Sequence, residues 1–522
     1  MEAVAVVKPP LSQGVAYGIV LGFGIVFALS MNTITWISRK YLHESADTNM
    51  QLTARKNVKS GLVASAVVSS WCYATTILNS VRLTYVFGFL GLWWFVSGAT
   101  VKIILISSSS CMESRSRFSL LQHFFWAAMN YLIPLGVVVY TYLGGLKATF
   151  LSDYIHTMII FVILLITMFA VMSPAASPAA TAHPAYGTKG GEYLTMESDQ
   201  SLLLAGVILV SGLGSVFVDA SYGQKAIAGE PFAVVRGYFY GGFAWFSIPL
   251  DLCATMSFVA VGLQDSEYWL IPGRITAYQI NNALILPLAA QAVMGTGGPV
   301  AVILMVFMAV TSSFSAKIIA HASIVTFDIY QPYINPTASD KKLKMVSHGA
   351  LTGFAIFSAS FATALNASGI SMGWILEFLG VVLGAAVIPI ALAITNAHVS
   401  SLYMIIAAPV GTICGLAARL GTTKGMYGEI NVATTFENWS MFAGYTVSLC
   451  LPLLIWACMW PFMRTPYDWD MLFLMQALQP RAGDAVYAYG EDVDLGADWD
   501  PQGLRQASNW AKIVSAVLCL VI

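Results

Sequence analysis

The 522-residue sequence predicts an all-α integral membrane protein, and three observations carry that reading. Apolar residues make up 57% of the chain and charged residues only 10%, where a soluble globular chain carries roughly 25% charged. Apolar runs of about 20 residues, the length a helix needs to cross a hydrocarbon core about 30 Å thick, recur from residue 14 almost to the end. The segment 201–396 alone holds five of them, the content of one half of a transporter built from two inverted five-helix repeats. The net charge of −1 and the lack of any long basic tract give nucleic acid nothing to bind. No HExxH, GxSxG or Walker-type pattern points to a membrane enzyme.

In chain order the predicted spans are 14–37, 60–82, 85–108, 121–144, 151–173, 201–221, 237–262, 298–327, 347–367, 373–396, 401–417 and 441–463. The first follows a single basic residue, Lys8, and is too long for the apolar stretch of a cleaved leader, so it reads as a retained span. The Pro-, Ala-, Gly- and Ser-rich stretch 174–200 reads as an outer loop, and 263–297 as a long loop with an apolar hairpin. Residues 1–463 thus form one transmembrane domain, with a first repeat over about 60–173 and a second over about 201–396. The stretch 464–507, with eight acids against three arginines, reads as an acidic cytoplasmic loop or tail, and 508–522 as a truncated final span. All seven cysteines lie within or beside apolar runs without CxxC or CxxH spacing, so they suggest neither disulfides nor a zinc site.

Basic residues in the loops set the orientation. Arg39, Lys40, Arg55, Lys56 and Lys59 place loop 38–59 in the cytoplasm, and loop 109–120, with Arg115 and Arg117, follows. Beyond that point simple alternation fails. The nominally cytoplasmic loops hold Lys189, Arg274, Arg419 and Lys424, while the nominally outer ones hold Lys147, Lys225, Arg236, Lys341, Lys342, Lys344, Arg464, Arg481 and Arg505. One extra crossing between about 109 and 145 exchanges the two sets and also moves the sequons at Asn366 and Asn438 outside. The first repeat, with four spans, is short by one helix where parity breaks; a re-entrant segment there is the alternative.

Ionisable groups inside spans are costly, by roughly 2.5–3.5 kcal/mol or more at a helix centre, and each is a functional candidate by default. They are Arg82, Lys102, Asp219, Asp251, Lys317, Asp328 and Glu377. Lys102 and Asp328 lie near helix ends and can snorkel, and Asp251 follows Pro249, which suggests structural roles. Asp219 lies in "GLGSVFVDASYGQKA", where Gly212, Gly214 and Gly223 permit local unwinding at membrane depth. The first repeat opens on "ASAVVSSWCYATTILNS", whose Ser69, Ser70, Trp71, Cys72, Tyr73, Thr75 and Thr76 bring hydroxyls and aromatic faces into an apolar helix. In "AVTSSFSAKIIA", Ala309, Ser312 and Ser313 share a helix face. Two hydroxyls with backbone carbonyls suit a hard monovalent cation; small residues for close helix packing are the competing reading.

At these residues the chain resembles the urea active transporters of fungi and plants, a branch of the sodium:solute symporter family. The resemblance runs from about residue 14 to 463 and is carried by "KSGLVASAVVSSW", "WFVSGATVKIIL", "PLGVVVYTYLGGLKATFLSDYIHT", "SVFVDASYGQKAIA", "VTSSFSAKIIAHASIVTFDIYQPYINP", "VSHGALTGF", "AAVIPIAL" and "MYGEINVATT". It implies a LeuT-like five-plus-five inverted repeat with additional N- and C-terminal helices in the plasma membrane. It implies uptake of urea, with polyamines a second substrate class, coupled to sodium or protons by alternating access, with no further cofactor and lipid as surroundings. Mapped by motif, a sodium site falls on the carbonyls of Ser69, Cys72 and Ala309 and the hydroxyls of Ser312 and Ser313. Urea falls against Trp71, Tyr73, Thr75, Thr76, Asp219 and Tyr222.

The chain also departs from that family. Most of the third fold helix is absent between "GATVKIILISSSS" and "LIPLGVVVY", Arg82 replaces a small residue, Gly223 a tryptophan and Lys317 an acid. The alternatives are an uncoupled channel or sensor with the Lys317 ammonium leaning toward the cation site, a non-functional paralogue or truncated isoform, and a symporter for another small polar solute.

Overall fold

The computed structural model describes residues 13–41, 48–54, 58–107, 124–171, 192–195, 199–229, 231–264, 273–368 and 372–462, with Trp269, Ile370 and Pro466. The expected gap at 109–123, the tail 464–507 and the final run 508–522 lie outside the described residues, apart from Pro466. The helices, in order, are α1 (Gln13–Tyr41), α2 (Thr48–Thr53), α3 (Ser60–Trp71), α4 (Ala74–Phe87), α5 (Phe89–Ser107), α6 (Phe124–Val171), α7 (Asp199–Phe217), α8 (Ala220–Ala228) and α9 (Pro231–Leu252). Then follow α10 (Ala277–Asn281), α11 (Ile285–Met294), α12 (Gly297–Ser323), α13 (Asp340–Ala367), α14 (Met372–Thr395), α15 (Ser401–Tyr427), α16 (Val432–Thr435) and α17 (Asn438–Met459). Eight helical stretches are long and apolar enough to cross a membrane, or ten with two bent pairs counted as one span each. Outward side chains such as Val26, Leu29, Leu165 and Phe169 are more than half exposed, as lipid-facing helices require.

Each repeat opens on a broken helix. α3 and α4 meet at 58° and α7 and α8 at 56°. The first break falls after a run of Ser, Ser, Trp and Cys, weak helix formers, with Tyr73 extended (φ −67°, ψ 161°). The second is set by Asp219, which is extended and accepts a hydrogen bond from the backbone N–H of Ser221 (3.0 Å), an N-cap that starts a new helix. The glycines expected to unwind this segment do otherwise. The helix runs straight through Gly212 and Gly214, and an added Cβ at Gly214 would stand 2.9 Å from the Leu383 backbone, so its role is close packing against α14. A further small-residue seam, Gly237 and Gly241 of α9, lets Val63 and Val67 of α3 approach to within 2.7 Å of where a Cβ would be.

The predicted spans 121–144 and 151–173 are joined without a loop. One non-helical residue, Gly145 (φ 58°, ψ −155°), turns the chain inside α6, and a Cβ there would lie 2.6 Å from the Gln51 carbonyl oxygen of α2. Gly145→Ala is therefore expected to cost about 1–3 kcal/mol in backbone strain before the clash with Gln51 is counted. A clear drop in the unfolding temperature of the purified full chain would register it; an unchanged temperature would show that the turn relaxes freely.

α2 gathers one face of the molecule. The Thr48 N–H is bonded by Asp340 Oδ1 (3.1 Å), Gln224 Nε2 donates to the Leu52 carbonyl (2.7 Å), and Gln51 meets His348 (2.8 Å). Arg39, Lys40, Lys59, Lys147, Lys341, Lys342 and Lys344 sit at helix ends on this face, which the positive-inside rule makes cytoplasmic. On the opposite face Tyr193 donates to the Thr84 carbonyl (2.8 Å) and Tyr85 to Gln264 (2.6 Å). α5 starts beside Tyr193 and its nineteen residues carry the chain inward by about 28 Å. The first half of α6 ends inward, at Gly145, so it must begin outside. The described ends at Ser107 and Phe124 therefore lie on opposite faces; among the described residues of 60–173 the bent pair α3 and α4 and the stretch Ile133–Val171 are long and apolar enough to cross, with Phe89–Gly98 shorter, against five such stretches in 201–396.

Two charges assigned to loops by their sequence position are buried. Arg419 lies within α15, which extends ten residues past the predicted end at 417, and its guanidinium donates to the Thr435 carbonyl (2.8 and 3.1 Å) above the Trp374 ring. Lys225 lies in α8 with 1% of its side chain exposed.

Candidate functional site

Between the two breaks the structure assembles two polar clusters. The first centres on a buried ion pair, Asp153 of α6 with Lys225 of α8, whose charged atoms are 2.5 Å apart. Lys225 also donates to Ser70 Oγ and to the Ala66 carbonyl (3.2 Å), so all three ammonium protons are placed. Asp153 Oδ1 accepts from Ser312 Oγ (2.6 Å), and Ser312 Oγ is 2.5 Å from Ser69 Oγ, giving a continuous hydroxyl, hydroxyl, carboxylate, ammonium chain through α3, α12, α6 and α8. Every member is buried, so the mutual bonding is what offsets the desolvation of the two charges.

The five predicted cation ligands are only partly united. Ser69 and Ser312 meet across the helices, whereas Ser313 Oγ donates to the Ala309 carbonyl one turn back in its own helix (2.8 Å). Thr311 and Ser315 likewise bond the Phe307 and Ser312 carbonyls. Of the four hydroxyls in this stretch, Ser312 reaches α3 and α6, and Ser315 also bonds Tyr140 of α6. At the end of α3 the carbonyls of Val68, Ser70 and Trp71 accept from the Cys72 N–H, the Tyr222 hydroxyl and Thr76 Oγ1. Among the described residues no donor meets the Ser69 carbonyl, and the buried Cys72 closes the helix.

The second cluster lies at the N-terminus of α8. Asp219 Oδ1 accepts from the hydroxyl and N–H of Ser221 (2.7 and 3.0 Å), and Oδ2 from the Tyr73 hydroxyl (3.4 Å). Lys317 of α12 ion-pairs with the same carboxylate and stands 5.4 and 5.0 Å from the centres of the Tyr73 and Tyr222 rings. The two tyrosine hydroxyls touch, and Trp71 meets Tyr222 edge-on at 4.9 Å. Four of the six predicted substrate residues, Trp71, Tyr73, Asp219 and Tyr222, are thus brought together. Thr76 is used to satisfy the Trp71 carbonyl at the break, and no polar contact of Thr75 is described. Lys317 turns to Asp219 instead of toward the predicted cation ligands.

Asp153 and Lys225 escaped the sequence reading because both stand near predicted span ends, where charge is ordinarily solvated. The signal was present: Asp153, His156 and Thr157 share a helix face at i, i+3, i+4, and all three are buried. Among the other intramembrane charges, Arg82 bonds Asn79 (2.7 Å) near the Phe436 ring, Asp251 borders the π-helical turn Cys253–Ser257, and Asp328 is exposed. The side chains of Lys102 and Glu377 lie outside the described residues.

The sequence pattern of the sodium:solute symporter family matches residues 120–399, more than half of the chain. The chain belongs to that family. This symporter is accordingly a multi-pass, cation-coupled secondary transporter and not an enzyme. It is 36% identical to the urea active transporter of Saccharomyces cerevisiae over 89% of its own length and 71% of that protein's. It is 34% identical to the urea-proton symporter DUR3 of Oryza sativa subsp. japonica, over 88% and 73%. Among solved structures it is similar to a sodium-coupled sialic acid symporter in a substrate-bound outward-open state, with a TM-score of 0.59 at 14% identity, covering 87% of this chain and 99% of that one. That likeness fixes the architecture as the LeuT-like inverted repeat.

Proposed function

We propose that this symporter takes up urea across the plasma membrane, driven by a cation gradient through alternating access. The observation that carries the reading is the Asp219, Lys317, Tyr73, Tyr222 cluster, which offers a donor and acceptors between aromatic faces at the junction of both broken helices. Such a site suits a small, planar, neutral solute with a carbonyl and amino groups. The names of the yeast and rice relatives agree with it.

The coupling cation is best assigned to the Ser69, Ser312, Asp153 chain. Its oxygens, 2.5 and 2.6 Å apart, are in hydrogen-bond contact, which suits a proton carried on Asp153; sodium would require them to separate. α8 then supplies the coupling, because it carries Lys225 near one end and has Asp219 as its N-cap. A proton on Asp153 removes its charge, frees Lys225 and loosens α8 from α6, and the substrate residues at the other end of α8 move with it. Sodium is favoured by the oxygen donors Ser69, Cys72, Ala309, Ser312 and Ser313, which suit a hard cation.

Because Ser107 and Phe124 lie on opposite faces, we also assign the sixteen residues between them to the place of a longer membrane-crossing segment. The experiment is labelled-urea uptake in cells lacking their own urea transporter, under imposed proton and sodium gradients separately. Saturable accumulation driven by the proton gradient is expected; accumulation driven by sodium alone would overturn the proton assignment. No accumulation either by this chain or by a chimera carrying the yeast relative's segment in place of 108–123 would overturn the urea reading.

A further inference from the structure

We infer that Lys317 is the specificity-determining residue of the substrate cluster, its ammonium selecting a neutral solute with a carbonyl acceptor over a cation of the same shape. The inference rests on the reading of that cluster as the urea site. Urea and guanidinium make the comparison sharp, since both are planar and of nearly equal size. They differ at one position, where urea presents an acceptor oxygen and guanidinium another N–H donor on a positive charge.

Without Lys317, a carboxylate flanked by two tyrosine rings is a cation receptor, combining a charge-assisted hydrogen bond with two aromatic faces. In the structure the ammonium of Lys317 already occupies that receptor: it pairs with Asp219, stands 5.4 and 5.0 Å from the Tyr73 and Tyr222 ring centres, and lies 3.3 Å from Ser221 Oγ. Asp219 is also engaged on both oxygens, by Ser221 and by Tyr73. A guanidinium ion could enter only by displacing the ammonium, which would leave a second positive charge in a pocket where the Asp219 side chain is 11% exposed. Urea leaves the ion pair in place and displaces only one of the ammonium's long hydrogen bonds, to the Tyr73 hydroxyl (3.5 Å) or to Ser221 Oγ (3.3 Å). Its carbonyl oxygen accepts from the Lys317 ammonium, and its amino groups donate to the tyrosine oxygens or the outer lone pairs of Asp219. A site built around a donor rejects an analogue that lacks the matching acceptor, the pattern of strong discrimination seen where binding-site polar groups would be left unpaired. The same logic sets polyamines, whose ends are ammonium groups, against this site.

The test is binding of labelled urea and labelled guanidine to the purified full-length chain at neutral pH, for the wild type, Lys317→Met, Lys317→Gln and Lys317→Met with Asp219→Asn. Wild type should prefer urea. Both single variants should bind guanidinium at least about tenfold more tightly than wild type does, and the Asp219→Asn change should abolish the gain. If the pair merely locks α12 to α8, both variants will lose thermal stability while the ratio of guanidinium to urea affinity stays at the wild-type value, and the inference falls although urea binding stands. If wild type binds no urea but the single variants gain guanidinium through Asp219, the urea reading fails and the charge selection by Lys317 survives. The glutamine variant, which keeps a polar head of similar reach, serves where the methionine variant does not fold.

Discussion

Asp153→Ala is expected to abolish coupled transport and to destabilise the folded chain by about 3–5 kcal/mol, because it strands the Lys225 ammonium in a fully buried site. Few substitutions elsewhere in this symporter should cost as much, since surface charges contribute roughly 0–1 kcal/mol each. The variant that separates stability from mechanism is Asp153→Leu with Lys225→Met, which replaces the pair by apolar groups of similar volume and leaves no charge unpaired. That double variant should unfold within a few degrees of wild type yet show no gradient-driven accumulation. Thermal unfolding beside labelled-urea uptake reads both. Recovery of driven uptake in the double variant would reduce the pair to a structural tie.

Ser312→Ala should give the second largest effect. Its hydroxyl bonds both Ser69 and Asp153, and removing it takes away one of the donors, beside Ser69 and Lys225, that hold the buried carboxylate, a loss of about 1–3 kcal/mol. At 1.4 kcal/mol per factor of ten, the cation concentration for half-maximal uptake should rise by roughly tenfold or more. Ser313→Ala removes a hydroxyl bonded within its own helix and should shift it less than about twofold. An equal effect at Ser313 would restore the pairing of Ser312 and Ser313 that the shared helix face suggested.

Much of the fold was legible in the sequence because a bilayer leaves the backbone few choices. Spans had to be helical and about 20 residues long, so their helical character followed from hydropathy, whereas twelve runs were read and eight stretches, or ten with the bent pairs, qualify among the described residues. The loop charges suggested a parity break between about 109 and 145, where residues 108–123 lie outside the described ones. Boundaries were less legible. Arg419 was read as a loop residue since a buried arginine and an exposed one look alike in a linear pattern; its place above Trp374 depends on α14. The glycines of α7 suggested where the helix would break, but the N-cap geometry of Asp219 put the break at 218–219 and left Gly214 to packing.

The site divides in the same way. The clusters at Ser69–Thr76, Asp219–Tyr222 and Ala309–Lys317 were visible because polar groups in apolar helices are costly wherever they occur, and cost can be read one residue at a time. Which of these groups face one another could not be read so. Asp153 and Lys225 are 72 positions apart and Ser69 and Ser312 are 243 apart. Their contacts depend on how far each helix is rotated about its axis and where each broken pair bends. Those angles are fixed by packing of whole helices, such as Val63 and Val67 against the glycines of α9, and no local pattern encodes them. The sequence by itself therefore determined that this is a helical membrane symporter and that polar clusters stand in three of its apolar helices. The tertiary structure alone decided that Asp153 is tied to Lys225, that Ser312 is the bridging hydroxyl, and that Lys317 answers to Asp219.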